Sequence, residues 1–239
     1  MERWDLYDEN RRPTGEIMLR GQAVPEGRYH LTVDLLFLNS RGETLLQRRA
    51  KEKEICPDVW SFTGGAVTAG ETMAQGCVRE GAEELGFTPD ISRGRVLYTE
   101  TGKTYIRDVY LFRQDVPRAA MRLQPEEVQD AMWILPEKIR QDAALWQEMQ
   151  HVSYLERVYP YLCLESMRIR IPKGEYRHYK GGRYRALGLA LHSETLEPMV
   201  IYQARYGAGE IWVRPAAMWL ETVETQNGLA PRFALEKEE

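Results

Sequence analysis

One stretch constrains the fold of this chain more than any other: Gly64-Gly65, a short turn through Gly70-Glu71, then "TMAQGCVREGAEEL" and Gly86-Phe87. Met73, Ala74, Cys77, Val78 and Leu85 recur at helical spacing, so a helix with one apolar stripe is expected after a glycine loop. Gly86 stands where a left-handed C-terminal cap falls, and Pro89 bars continuation. Upstream, "YHLTVDLLFLN" (29–39) and "TLLQRR" flank the turn Ser40-Arg41-Gly42-Glu43, and "VWSFTGG" leads into the loop. Strand, glycine loop and helix in that order indicate an α/β protein.

The same helix carries charge. At about 100° per residue, Glu80, Glu83 and Glu84 fall within an arc of roughly 100° beside the apolar stripe. Like charges so close weaken a helix unless solvent screens them or cations neutralise them. Three glutamates alone are more often a solvated face than a metal site. Oxygen-only ligands match Mg²⁺ or Mn²⁺, which keep waters and bind phosphate oxygens.

The full spacing is more specific. Gly65, Glu71, Arg79-Glu80, Glu83-Glu84, Gly86 and Phe87 closely resemble the signature of the Nudix hydrolases. The resemblance implies an α/β/α sandwich with a mixed sheet, and Mg²⁺-dependent cleavage of a diphosphate linkage, in a nucleoside diphosphate derivative or a similar small molecule. It also implies roles. Glu80, Glu84 and the Gly65 carbonyl would hold metal, Glu83 would be a further ligand or proton acceptor, Arg79 would orient the carboxylates, and Glu71 would fix the loop. One position departs from the family pattern: Gly81 stands where a bulky aliphatic is usual, and a helix-interior glycine costs about 1 kcal/mol against alanine.

Outside the signature, Glu127 of "QPEEVQDAMW" is the favoured general base, with an exposed acidic pair (Glu126, Glu127) as the alternative. Arg48 and Arg49 end a strand near the loop and suit phosphate forks, although a solvated basic turn explains them equally. The opening "WDLYDEN" and "YHLTVDLLFLNSRGETLLQRR" look like the branch of the family that includes type 1 isopentenyl-diphosphate isomerases. That chemistry uses a cysteine just before the box and several histidines. Here "WSFTGGAV" has neither, which favours hydrolysis over isomerisation. A nucleotide-binding sensor without catalysis is the other alternative.

"RVLYTE" and "TYIRDVYLFR" read as strands, "EEVQDAMWILP" as a strand running into a helix near Pro136, and "LWQEMQHVSYLERVYPYLCLES" as a helix interrupted by Pro160. After Arg170, short strand candidates separated by Gly, Pro and Ser indicate a small all-β unit. We therefore expect a Nudix domain over 1–171 and a small β-rich domain over 172–239. The second resembles, over about 174–233, a small uncharacterised domain family. Its His178, His192, Glu194, Arg214 and tyrosines suit a polar pocket or the hydrogen-bonded framework of a small barrel.

Net charge is −4 with 43% hydrophobic residues. A globular chain is expected, and the balance argues against broad attraction to nucleic acid or anionic membrane. No run approaches a bilayer span, which points to a soluble, cytoplasmic protein. The three cysteines, Cys56, Cys77 and Cys163, lack metal-ligand spacing and read as reduced thiols.

Overall fold

The computed structural model describes residues 1–226 and 228–238; Asn227 and Glu239, both within the expected second domain, lie outside the described residues. The chain divides into two compact units, Met1–Val158 and Tyr159–Glu239. That division falls inside a helix and upstream of Pro172.

The first unit opens with a hairpin of β1 (Arg3–Tyr7) and β2 (Pro13–Leu19). The main sheet contains β3 (His30–Leu38), β4 (Thr44–Arg49), β5 (Trp60–Ser61), β6 (Thr63–Ala66), β7 (Gly94–Thr101), β8 (Tyr105–Arg113) and β9 (Val128–Ile134). Its order is β5-β4-β3-β8-β7, with β6 on β3 and β9 on β4. Strands β3 and β8 run parallel, from His30 beside Tyr105 to Leu38 beside Arg113, and the other pairs are antiparallel. The sheet is mixed, as expected.

Helix α1 (Met73–Leu85) follows β6. Thr72 caps it by accepting from the Gln75 N–H while Gln75 reaches back, a reciprocal box. Gly86 closes it at φ 72°, and its N–H bonds back to Ala82 and Gly81. Alternation on β3 sends Val33, Leu35 and Phe37 into one core with Cys77 and Leu85 of the helix. Gly81 has a packing reason: a Cβ there would stand 2.5 Å from the Pro89 ring, so the bulky aliphatic usual in the family has no room.

Helices α2 (Pro136–Gln141), α3 (Ala143–Glu148) and α4 (Leu155–Arg170) follow β9. Pro160 lies inside α4 and does not interrupt it. A proline near a helix start forfeits one backbone bond, while Val158, Leu162, Cys163 and Met167 bury the helix's apolar side.

The second unit is built on an antiparallel sheet in the order β13-β12-β11-β10-β16. Its strands are β10 (Gly174–His178), β11 (Arg183–Leu191), β12 (Pro198–Ala204), β13 (Ile211–Pro215) and β16 (Phe233–Glu238). A short helix α5 (Ala216–Trp219) and a hairpin of β14 (Thr222–Thr225) and β15 (Gly228–Pro231) complete it. Its core is aromatic: Trp219 stacks on Phe233 at 3.8 Å, with Tyr176 and Tyr202 edge-on. The all-β expectation holds for the sheet.

Candidate active site

The site is assembled where β6 feeds the loop before α1. Arg79 is its organiser. Its guanidinium donates to Glu71 at 3.0–3.2 Å, to Glu80 at 2.7 Å, to Glu83 at 3.2 Å and to the Ala66 carbonyl at 2.7 Å. Glu71 in turn accepts from the Thr68 N–H, so loop and helix are tied through one planar cation.

The three glutamates do not share one environment. Glu80 and Glu84 are buried, whereas Glu83 is half exposed at 53% of its side chain. Adjacent turns of α1 place Glu80 and Glu84 against the sheet and Glu83 at the rim. A Cβ at Gly65 would collide with the Glu80 carboxylate, so only glycine admits it to the strand. Glu84 accepts from Gln47 Nε2 at 2.9 Å and the Gly64 N–H at 3.3 Å. Burial, with repulsion from Glu80 and Glu127, pushes the Glu84 carboxyl up to about 8 despite these bonds. Burial also raises Glu80, with Arg79 opposing.

Among the described residues no three His, Cys, Asp or Glu side chains already converge as a metal-ligand set. The donor chemistry nevertheless fits a hard divalent cation: two buried carboxylates repel each other and are held above their ordinary range. A cation beside them would remove both penalties.

Glu127 precedes β9, and its carboxylate is paired with Lys53. It lies near enough to Glu84 to raise that carboxyl. Arg48 and Arg49 are engaged elsewhere. Arg48 donates to Asp58 Oδ1 at 2.7 Å and lies over the Trp60 ring, and Arg49 binds the carbonyls of Ile55 and Cys56. Along β4, alternation places Arg48 opposite to Gln47, the side chain that reaches Glu84. Both forks brace the 50–58 loop.

Sequence reading missed Gln47, and it took Lys53 only as part of the basic turn after Arg48 and Arg49; the partners of both are distant along the chain. It also missed the recessed carboxylate of Asp34. The signal for Asp34 was present: one acid in the otherwise apolar run Val33-Asp34-Leu35-Leu36.

The pattern of the NUDIX domain family matches residues 28–155. The chain belongs to the Nudix family. An uncharacterised Nudix hydrolase of Listeria innocua is 36% identical over 140 residues, covering 58% of this chain and 83% of the relative. An isopentenyl-diphosphate Delta-isomerase of Streptomyces coelicolor is 30% identical over 142 residues, covering 56% and 72%. The crystal structure of DR0079 from Deinococcus radiodurans superposes with a TM-score of 0.51 at 27% identity, covering 60% of this chain and 90% of that one. Residues 174–235 match a separate family described as a protein of unknown function, DUF1653. This Nudix protein is thus a pyrophosphohydrolase unit followed by a second module. No helix among its described residues is long and apolar enough to cross a membrane.

Proposed function

We propose that the first unit hydrolyses a diphosphate linkage in a nucleoside diphosphate derivative, with Mg²⁺ or Mn²⁺ held by Glu80, Glu84, the Gly65 carbonyl and, from the rim, Glu83. The observation that carries this reading is the buried Glu80–Glu84 pair, organised by Arg79 and short of positive charge. When bound, the divalent ion would draw charge off the phosphate oxygens and acidify the attacking water.

The chain's own residues do the rest. Arg79 holds Glu80 in place and neutralises part of its charge. Gln47 orients Glu84 by a bond to one carboxylate oxygen. Glu127, paired with Lys53, accepts the proton from water. Arg48 and Arg49 support the neighbouring loop and do not act as phosphate forks.

Isomerisation is disfavoured by the thiols. Cys77 is buried and its thiol is pushed up to about 12 by burial, and Cys163 is also buried. Cys56 lies in the loop that Arg49 braces. The test is a screen of the purified chain with Mg²⁺ against nucleoside diphosphate derivatives, dinucleotides and isopentenyl diphosphate. Metal-dependent release of a nucleoside monophosphate is expected. Formation of the dimethylallyl isomer, or no cleavage of any nucleotide substrate, would overturn the reading.

A further inference from the structure

The five-stranded sheet of the second unit ends on two strands, β16 and β13, and its two edges differ. β16 closes on Glu236, Lys237 and Glu238, a run of charge that discourages another strand from pairing there. β13 carries no such guard. Its Ile211, Trp212 and Val213 are exposed at 62%, 53% and 64%. Consecutive residues of a strand point to opposite faces, so apolar surface is bare on both sides of this edge. An apolar edge of that kind is a template for a further strand.

The backbone of β13 fixes how a further strand would pair. On its inner side Gln203 stands opposite Ile211, Tyr202 opposite Trp212 and Ile201 opposite Val213, and the Ala204 N–H donates to the Glu210 carbonyl at 3.0 Å. Hydrogen-bonded positions alternate along an antiparallel pair. Glu210, Trp212 and Arg214 therefore turn their backbone groups toward β12, while the N–H and C=O of Ile211 and Val213 point outward. Among the described residues β13 pairs with β12 alone, and Pro215, which has no N–H, limits the ladder at its far end.

The charges that bracket this strand are opposite in sign and single. Glu210 is exposed just before Ile211, and Arg214 follows Val213. Among the described residues neither has an ion pair within the chain. Arg214 Nε is buried without a hydrogen-bond partner, and its guanidinium lies over the Phe233 ring at 5.7 Å.

We propose that β13 pairs antiparallel with β13 of a second copy of this chain, with Trp212 opposite Trp212 on the two-fold axis, so that the two sheets continue as one. Ile211 then stands opposite the second copy's Val213 and exchanges backbone bonds with it, as their outward groups require. Glu210 falls opposite the second copy's Arg214 on the face that carries Trp212. Symmetry repeats both contacts around a cross-strand tryptophan pair. Moving the axis to Ile211 or to Val213 also keeps the outward groups paired, but it sets Glu210 opposite Trp212 or Ala216 and leaves both charges single. Ladder and charge together select the axis at Trp212.

Sedimentation equilibrium of the full chain should show a monomer–dimer equilibrium with a Kd of about 1–100 µM, the weak range suited to so short a ladder. Glu210→Arg sets like charges opposite one another, and Val213→Lys puts a charge on the edge. Both positions are exposed, so circular dichroism should not change while each variant weakens the dimer by about tenfold or more. Glu210→Arg combined with Arg214→Glu reverses the pair and should return the Kd to within about threefold of the wild type. A wild-type chain that stays monomeric up to about 500 µM, or a dimer that neither Glu210→Arg nor Val213→Lys weakens, would rule the pairing out. So would a folded double variant that dimerises as weakly as Glu210→Arg alone.

Discussion

The two units handle charge in opposite ways. The first buries carboxylates it cannot fully satisfy: Glu80 and Glu84 crowd one another, and Asp34 stands 3.6 Å from its Arg107 counter-charge. The second pairs several of its arginines with glutamates at the surface, Arg177 with Glu236, Arg205 with Glu175 and Arg232 with Glu221, around an aromatic core stacked on itself. Surface pairs of that kind add little stability and are compatible with many surroundings. Buried, under-compensated charge costs stability and persists where a ligand repays it. The contrast explains why the first unit discloses a chemistry and the second discloses a scaffold.

The sharpest way to break this comparison is at Glu84. Glu84→Gln keeps the side chain's shape and removes a carboxylate that burial and Glu80 disfavour ionising, so the fold should be unchanged or firmer while turnover drops more than about a hundredfold. Steady-state kinetics beside circular dichroism checks both halves. Near-normal turnover would remove the carboxylate pair from the mechanism.

A smaller effect is expected from pH in the metal-free protein. The folded chain keeps on Glu84 a proton that the unfolded chain has released. The stability this contributes is full below the ordinary value of 4.5 and is lost as pH rises toward about 8. Glu80 and Asp34 shift in the same direction. The thermal midpoint should therefore fall by roughly 5 °C or more across that window, less in Glu84→Gln, and Mg²⁺ should restore it at the alkaline end. A midpoint that rises with pH would contradict the burial of these groups.

Smallest is the expected cost of Gly81→Leu, which restores the family's usual aliphatic type. The Pro89 ring occupies that space, so the variant should lose about 1–3 kcal/mol by overpacking, read by denaturant unfolding. Stabilisation would show that Pro89 gives way easily.

Much of the first unit was legible because its signals are local. The α1 periodicity, the Gly86 cap and the gapped glutamate spacing lie within one short segment, and alternation on β3 follows from its own residues. What escaped depends on contacts distant in sequence. Gln47 meets Glu84 only because β4 lies beside β3 and under α1, and Lys53 meets Glu127 across a strand pairing. Arg48 and Arg49 were near the loop in sequence, yet the loop's own carbonyls and Asp58 capture them. Pro160 was read as a break because proline propensity is local, whereas burial of α4 is tertiary. In the second unit alternation and turn residues disclosed strands, while the polar-tipped aromatics that suggested a pocket include Tyr176 and Tyr202 of the core.

The central claim is that the chemistry belongs to the first unit alone, and the direct measurement is kcat for residues 1–171, which keep α4 whole, beside the full chain. On whichever nucleotide substrate the screen yields, we predict Mg²⁺-dependent turnover within about threefold of the full chain, since every residue given a role in hydrolysis lies between Gln47 and Glu127. A soluble, folded fragment whose kcat collapses would contradict the account and place part of the catalytic machinery in the second unit.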